Sequence, residues 1–330
     1  MRVLITGAGG FIGSHLVDDQ LRCGRQVTAL DTNIDRLISL RANPNIKIIQ
    51  GDFADKSLID TILGEHDICF HLASAHLETG VDESYFWKVN VENTREFIER
   101  CHHARINRFV HCSSVGVYGD IENPPADEES ACHPDVAYEK SKLAGEKSLM
   151  EYVRQVGYDL VIIRPAWVYG PRCPRTERLF RTIKKGRFFF VGNGKTLRHP
   201  IHINDMVTGF EIAAFHEKAP GEVFIMAGPR AVSIEELARE IANCVGVKPP
   251  TLKLPITPVW LGCLFLEIVS KMTGKNVPFT RRSMKFYTGN TAFNVKKAQK
   301  VLGFTPRVDL REGINLTYLW LRETGRLPIG

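Results

Sequence analysis

The feature that most constrains the fold is a glycine-rich turn directly after the first apolar run. Residues 3–5 (V-L-I) lead into T-G-A-G-G-F-I-G-S, in which Gly7, Gly10 and Gly13 stand three residues apart. An apolar run that ends in such glycines predicts a strand, a tight turn and a helix that starts at once. The N-terminus of that helix directs free N–H groups and a partial positive charge at the turn, which suits a phosphate. The spacing alone fits a turn without a ligand equally well.

The first half of the chain alternates short apolar runs with longer helical patterns. This is the rhythm of βαβ units in a parallel sheet that is buried on both faces. The candidate strands are 2–6, 26–30, 46–51, 68–72, 108–113 and 160–164. Helical patterns cover 12–23, 56–63, 85–104, 138–156, 203–215 and 233–245. We therefore predict an α/β fold, with a Rossmann-type doubly wound parallel sheet and a smaller, mostly helical C-terminal substrate lobe.

Carboxylates at the ends of the second and third strands indicate a dinucleotide as the ligand of the turn. Asp31 closes the second strand, 18 residues after Gly13. A carboxylate there can accept hydrogen bonds from both ribose hydroxyls and repel a 2′-phosphate, which favours NAD over NADP. Asp52 and Phe53 follow the third strand and are expected near the adenine, although an N-cap explains Asp52 nearly as well. Arg36 is too far along the chain to be assigned to a 2′-phosphate.

The rhythm of strands and helices changes after Pro165. Pro, Gly and Arg crowd residues 169–200, and a loop-rich tail follows the later helices. We predict an NAD-binding Rossmann domain at 1–168, to which 196–218 returns, and a substrate-binding lobe made of 169–195 and 219–330. The length of 330 residues and the hydrophobic content of 44% are ordinary for a globular protein of this organisation.

The amino-acid composition limits the binding partners and the cellular compartment that we expect for this protein. The eight cysteines include no C-x-x-C pair, which predicts reduced thiols and neither a disulfide framework nor a metal site. No signal peptide precedes the first strand, so we expect a cytoplasmic protein. The formal charge of +6 is spread widely and fits an anionic small molecule better than nucleic acid.

Three polar residues in the middle of the chain predict redox chemistry on a hydroxyl. Tyr138 and Lys142 lie four residues apart in Y-E-K-S-K, on one face of a predicted helix. A phenol with a pKa near 10 cannot act as a base unaided, and a nearby ammonium can lower that pKa. Ser114 stands at the carboxyl end of a predicted strand, where open α/β sheets bind ligands. Its hydroxyl could hold a substrate oxygen beside the phenol, with Ser113 as the near competitor.

The order of the motifs resembles that of the extended short-chain dehydrogenases/reductases of the NAD-dependent epimerase/dehydratase family, over nearly the full chain. The stretches that carry the resemblance are T-G-A-G-G-F-I-G-S-H, H-L-A-S, V-N-V-E-N-T, S-S-V-G-V-Y-G, Y-E-K-S-K-L-A-G-E and R-P-A-W-V-Y-G-P. The resemblance implies that Ser114, Tyr138 and Lys142 are catalytic. It also implies that Asn90 positions backbone beside the site, although Asn90 could equally be a helix cap.

The predicted cofactor site combines the glycine turn, the carboxylates and positions that the resemblance implies. Leu72 and Ala73 are implied to line the cofactor, and Pro165 to Val168 to pack near the nicotinamide. The full set is Gly7, Gly10, Phe11, Ile12, Gly13, Asp31, Asp52, Phe53, Leu72, Ala73, Tyr138, Lys142, Pro165 and Val168.

The residues after Ser114 bear on the type of reaction. Family members that dehydrate or decarboxylate sugars usually carry an acidic residue there, because elimination needs another acid/base group. Val115 and Gly116 occupy these positions. We therefore expect an epimerase, which oxidises a sugar hydroxyl and reduces the ketone from the opposite face, or a dehydrogenase, which releases the ketone.

Basic residues after position 170 suggest a substrate with a diphosphate. Arg198 resembles the arginine that contacts the nucleotide diphosphate in sugar epimerases, and Asp205 follows at the family's spacing. Arg172 begins a series of arginines, of which one or two could reach a phosphate or uronate. We predict substrate contacts from Ser114, Arg198, Arg172 and His202. The other arginines of the series are Arg175, Arg178 and Arg181.

The C-terminal part leaves an alternative open. The apolar run 258–266 and T-A-F-N-V-K-K-A resemble the tail of 3β-hydroxysteroid dehydrogenase-like members, so an NAD-dependent dehydrogenase of a hydrophobic secondary alcohol is the alternative to a nucleotide-sugar epimerase. The run is too short to span a membrane, and core packing is its default interpretation, ahead of a lid or a peripheral membrane contact. A non-catalytic NAD-binding protein is less favoured. The resemblance also implies a homodimer that pairs helices near 91–104 and 138–156.

Overall fold

The computed structural model of the protein describes residues 1–76, 81–273 and 281–327. Most of its strands are short and apolar, as expected for a buried parallel sheet. Within those ranges the strands are β1 (Arg2–Thr6), β2 (Gln26–Asp31), β3 (Ile46–Gln50), β4 (Ile68–His71), β5 (Arg108–Cys112), β6 (Asp159–Pro165), β7 (Trp167–Tyr169), β8 (Phe190–Val191), β9 (Leu197–Arg198), β10 (Pro200–His202), β11 (Val223–Met226), β12 (Val232–Ser233) and β13 (Lys253–Leu254).

Several helices begin at a side chain that accepts a hydrogen bond from the first turn, such as Ser233 and Asp309. The helices are α1 (Phe11–Arg22), α2 (Lys56–Ile62), α3 (Glu83–Trp87), α4 (Thr94–His103), α5 (Ala137–Val156), α6 (Pro174–Lys184), α7 (Ile203–Phe215), α8 (Ile234–Val245), α9 (Ile256–Thr273), α10 (Arg281–Thr288), α11 (Lys296–Leu302) and α12 (Leu310–Glu323). A π-helical segment, Lys88–Asn93, joins α3 to α4, and a 3₁₀ turn, Val115–Tyr118, follows β5.

The main sheet is parallel and has the strand order β11-β6-β5-β4-β1-β2-β3 in the described part of the chain. One apolar cluster on it includes residues of α1 and α7, and a second includes residues of α2, α4 and α5. This is the predicted doubly wound α/β architecture. The direction of winding reverses between β1 and β4, the place where open sheets of this type bind ligands.

The six strands predicted in the first half are confirmed, with ends that differ by at most one residue. The predicted boundary at residue 218 is corrected, because β11 pairs with β6 and completes the main sheet. Phe224, Ile225 and Met226 are fully buried there. Without β11, the apolar edge of the sheet at β6 would be exposed. The rest of the division into two domains stays a prediction.

The second lobe is mostly helical, as predicted. Side chains of α6, α8 and α12 pack in one cluster, with Phe180, Ile241 and Ile314 at its centre. The run 258–266 lies in α9, and the core packing predicted for it is wrong for most of its side chains: Cys263 is buried, but Phe265 is 65% exposed. None of the helices in the described ranges combines the length and apolarity that a membrane crossing requires.

Candidate active site and cofactor site

The glycine turn lies where β1 meets the ends of β2 and β4. Gly7 has a φ of +69°, and a Cβ there would lie 2.5 Å from the backbone nitrogen of Ala73. A Cβ on Gly13 would lie 2.0 Å from the carbonyl oxygen of Gly7. The turn is therefore packed against backbone too closely for any side chain at either position. Gly10 is the N-cap of α1, so the free N–H groups of the first helical turn, at Phe11 and beyond, lie at this site.

Asp31 connects the glycine turn to the end of β2. Its Oδ2 accepts a hydrogen bond from the Gly9 backbone N–H at 2.9 Å, and Oδ1 accepts one from the Asn33 N–H at 2.9 Å. Arg36 donates from Nη1 to the Gly9 carbonyl oxygen at 3.1 Å. The carboxylate thus lies beside the phosphate-binding turn, as a ribose ligand must.

The other predicted cofactor residues differ in how they are placed. Asp52 is exposed and its Oδ1 accepts from the Ala54 N–H at 2.9 Å, while the Phe53 ring is buried, with its centroid 4.8 Å from that of His71. Leu72 and Ala73 follow β4 and bond to Thr6 of β1. Pro165 ends β6 and Val168 lies in β7. The Phe53 ring therefore belongs to the core.

Ser114 and Tyr138 meet at the carboxyl end of β5. The Ser114 Oγ accepts from the Gly116 N–H at 3.0 Å, and a hydrogen bond between the two hydroxyls lowers the pKa of Tyr138. Ser113 is 5% exposed, and its hydroxyl has no hydrogen-bond partner in the part of the chain that the structure describes. Ser114 is therefore the serine that contacts the Tyr138 hydroxyl, and its catalytic role stays a prediction.

Some groups around the Tyr138 phenol raise its pKa, and others lower it. Burial is the largest and raises the pKa above 10, because the charged phenolate loses its hydration. The other influences, in decreasing order, are Cys112 (raises), Ser114 (lowers), Arg175 (lowers) and Glu139 (raises). Burial thus disfavours the phenolate, whereas the nearby charge of Arg175 favours it.

Arg175 reaches the phenol through a histidine that the sequence analysis did not identify. The His76 ring lies edge-on to the Tyr138 ring, with centroids 4.7 Å apart, and its Nε2 is 3.2 Å from the Arg175 guanidinium. Of the predicted arginine series, Arg175 is the member placed beside the phenol. No local pattern indicated His76, because it comes from the loop after β4, far from Tyr138 in sequence.

Lys142 is one helical turn from Tyr138 but holds different partners. Its Nζ donates to the Cys112 carbonyl oxygen at 2.8 Å and lies 3.3 Å from the His111 Nε2. Burial lowers the pKa of this ammonium. Lys142 is thus bound to the end of β5, and its predicted effect on the phenol stays a prediction.

Asn90 connects the loop after β4 to the helix that carries Tyr138. Its Oδ1 accepts from the Ala75 N–H at 2.9 Å, and its Nδ2 donates to the Ala75 carbonyl at 3.1 Å and to the Ser141 hydroxyl at 2.9 Å. Ser141 in turn donates to the Tyr138 carbonyl at 2.8 Å. Asn90 lies inside the π-helical segment, so it is a positioning residue and not a helix cap.

Glu139 is a second residue that the sequence analysis missed. A Cβ on Gly116 would lie 3.0 Å from the Glu139 Cγ, 3.4 Å from its Oε1 and 3.2 Å from the Ser114 Oγ. The Glu139 Oε2 is buried. The carboxylate therefore occupies the space that the missing side chain of Gly116 leaves beside Ser114.

The predicted substrate residues fall into two groups. Arg198 is 5% exposed and donates to the carbonyl oxygens of Leu197 and Gly289, and burial lowers its pKa to about 10. Such a desolvated cation would be stabilised by an anionic diphosphate.

Arg172 and His202 are placed by contacts with α1 and α7. The Arg172 Nη2 lies 2.8 Å from Oδ2 of Asp18 in α1. The His202 Nδ1 accepts from the Asn204 N–H at 3.3 Å at the start of α7. Both side chains thus have a contact within the protein, and their role as substrate contacts stays a prediction.

Comparisons with known proteins found relatives over nearly the whole chain. The model of the "NAD dependent epimerase/dehydratase family" matches residues 3–227. The chain is 30% identical to a dTDP-glucose 4,6-dehydratase of Streptomyces niveus, over 98% of this chain and 93% of that protein. It is 27% identical to an N-acetyl-alpha-D-glucosaminyl-diphospho-ditrans,octacis-undecaprenol 4-epimerase of Escherichia coli O157:H7, over 96% and 93% of the two chains.

A similar solved structure shows the same fold with ligands. A UDP-glucuronic acid 4-epimerase from Bacillus cereus, in complex with UDP-glucuronic acid and NAD, has a TM-score of 0.80 and 25% identity. The similarity covers 98% of this chain and the whole of that one.

Proposed function

We propose that this chain, which belongs to the NAD-dependent epimerase/dehydratase family, is an epimerase that oxidises one hydroxyl of a nucleotide sugar to a ketone and reduces it from the opposite face. The observation that carries the proposal is the contact between the Ser114 and Tyr138 hydroxyls after the end of β5. The named relatives are sugar enzymes, which favours a sugar over a hydrophobic alcohol.

The residues present fit NAD. Gly7, Gly10 and Gly13 leave room for a phosphate at the N-terminus of α1, and Asp31 lies beside that turn with its carboxylate toward Gly9. When bound, NAD accepts the hydride from the substrate carbon and later returns it. We assign the adenine side to Asp52, Leu72 and Ala73.

Tyr138 is the group that we assign to the proton. Its Oη takes the proton of the substrate hydroxyl during oxidation and gives it back during reduction. Ser114 holds the same oxygen by a hydrogen bond, and Arg175, through His76, stabilises the phenolate that burial disfavours. Lys142 holds the end of β5 and faces the ribose side of the site. Arg198 is the proposed contact for the substrate diphosphate.

A second candidate reaction is elimination of water from the same keto sugar, and the position of Glu139 favours it. A ketone acidifies the C–H bond next to it, and a carboxylate in reach can take that proton and pass it to the hydroxyl that leaves the next carbon as water. The hydride held by the cofactor, together with a solvent proton, would then reduce the resulting double bond. Val115 and Gly116 lack this group, whereas Glu139 brings it from α5. In D₂O, elimination exchanges the proton next to the ketone, and simple epimerisation does not.

The test is turnover with purified protein, NAD and a panel of UDP- and dTDP-sugars, read by nuclear magnetic resonance of the products. The panel includes a lipid-linked diphospho-sugar, because the E. coli relative is named for one. Tyr138→Phe is expected to abolish turnover while NAD binding, followed by fluorescence, persists. Tyr318→Phe in α12 is the matched control. An active Tyr138→Phe enzyme would remove the phenol from the mechanism.

We also propose that the enzyme is a cytoplasmic homodimer. The eight cysteines are free thiols, as a reducing compartment allows. Helices α4 and α5 lie side by side on one face of the main sheet, where Arg95 of α4 donates to the Ser148 carbonyl of α5 at 2.9 Å. Two copies of this helix pair can form a four-helix bundle. Light scattering measures the mass, and a monomer contradicts this assembly.

A further inference from the structure

Helix α9 presents an apolar face that the described parts of the chain leave uncovered. Leu261, Phe265 and Ile268 are 55%, 65% and 50% exposed. Since each residue advances a helix by about 100°, these three side chains fall within an arc of about 60°. Cys263 lies on roughly the opposite side and is buried in a cluster with Val191. The helix therefore rests on the protein by one edge and shows its apolar side to solvent.

The exposed face of α9 also lacks charge. Glu267 is the one charged residue between Lys253 and Lys271 in the sequence. It lies about 40° around the helix from Cys263, on the side that meets the protein. A solvent-facing helix normally carries charged residues on its outer side, so this face is suited to an apolar environment.

Basic residues are concentrated in the part of the sequence that contains the helix. Residues 241–308 contain 11 Lys or Arg and one acidic residue, a net charge of +10, so that the remaining residues carry −4 of the total of +6. The prediction of a widely spread charge is therefore wrong. Lys248 and Lys253 are exposed just before α9. Lys253 also lies 3.4 Å from the Glu235 carboxylate.

We propose that α9 is a docking face for an anionic lipid membrane. Leu261, Phe265 and Ile268 enter the interface between headgroups and acyl chains, and Lys248 and Lys253 meet the lipid phosphates. A second copy is the competing occupant, but joining two such faces would bring two segments of +10 together. The enzyme would lie on the surface of the bilayer without crossing it. This proposal does not depend on which sugar the active site takes.

The experiment is co-sedimentation of the full chain with vesicles. Phosphatidylcholine vesicles are compared with vesicles of phosphatidylcholine and phosphatidylglycerol, for the wild type and for Leu261→Glu/Phe265→Glu. The control is Ile38→Glu/Leu319→Glu, which places the same two charges at exposed apolar positions elsewhere. Circular dichroism checks the fold of each variant, and turnover of a soluble nucleotide sugar without vesicles checks the active site.

We expect the wild type and the control to bind the anionic vesicles, and the α9 variant to bind about ten-fold more weakly or less. Binding to the anionic vesicles is also expected to weaken as salt is added. Equal binding by the α9 variant and the control overturns the proposal, and so does a wild type that ignores the vesicles. A wild type that ignores vesicles but forms a larger oligomer than the α9 variant assigns the face to a second copy instead.

Discussion

The Glu146 carboxylate and the Arg164 guanidinium form a buried, two-fold hydrogen-bonded pair between α5 and β6. Nε donates to Oε1 at 3.0 Å and Nη2 to Oε2 at 2.6 Å, and Nη1 donates to the Tyr118 hydroxyl at 2.6 Å. Both side chains are less than a tenth exposed. Because α5 carries Tyr138 two turns earlier, this pair fixes the catalytic helix against the main sheet.

Glu146→Leu alone is expected to destabilise the protein by about 3–5 kcal/mol, because it leaves a buried guanidinium without its carboxylate. Urea unfolding measures this change. Replacing both residues by leucine is expected to recover much of the loss, since no unpaired charge remains. Arg22→Gln removes an exposed pair with Asp19 and serves as the control, with no measurable effect. A single variant as stable as the wild type contradicts the anchoring role.

Asn90→Ala is expected to lower kcat more than it changes stability or the KM for substrate. The variant removes the link from Ala75 to Ser141, so the loop after β4 and the start of α5 lose their fixed distance. Steady-state kinetics and thermal unfolding measure the two effects separately. Asn90→Asp keeps the acceptor toward Ala75 and should retain more activity. Equal kinetics for all three proteins contradict the positioning role.

Arg175→Gln is expected to move the rising limb of the kcat/KM profile to higher pH. The base must lose its proton, so activity rises as pH passes the pKa of Tyr138, and removing a cation raises that pKa further. Arg178→Gln, one turn along the same helix, is the matched control. An unchanged profile for Arg175→Gln shows that its charge does not reach the phenol.

Glu139→Gln is expected to shift the same limb in the opposite direction, to lower pH. The carboxylate raises the pKa of Tyr138, so its neutralisation favours the phenolate. If the wild type exchanges substrate hydrogen in D₂O, this variant is expected to lose the exchange as well. Retained exchange without the carboxylate excludes Glu139 as the group that removes the proton next to the ketone.

Asp31→Asn is expected to reduce the preference for NAD over NADP by about ten-fold, a change of about 1.4 kcal/mol in relative affinity. The carboxylate repels a 2′-phosphate, and the amide does not carry that charge. Titration of both dinucleotides measures the ratio of the two dissociation constants. Asp35→Asn, a nearby carboxylate that is exposed, is the control. An unchanged ratio removes Asp31 from the discrimination.

Local patterns in the sequence were enough to predict six of the seven described strands of the main sheet and the pair of hydroxyls, Ser114 and Tyr138. Strands of a buried parallel sheet appear in the sequence as short apolar runs. The turn between β1 and α1 requires glycine, because the backbone of Ala73 leaves no room for a side chain at Gly7. Ser114 could be predicted from its place at the end of a strand, and Tyr138 from its place on one face of a helix. β11 was missed because nothing local distinguishes its pairing with β6.

The residues that surround the Tyr138 phenol could be identified only from the tertiary structure. His76 and Arg175 are 99 residues apart and meet only because the loop after β4 and the start of α6 border the same cleft. The spacing of the arginines gave no reason to prefer Arg175 over Arg172. In the folded chain Arg172 pairs with Asp18, and Arg175 lies at the candidate active site. Likewise, the sequence alone predicts that an apolar run such as that of α9 packs in the core. Only the packing of the second lobe, which covers Cys263 and leaves Phe265 in solvent, decides which side meets the protein.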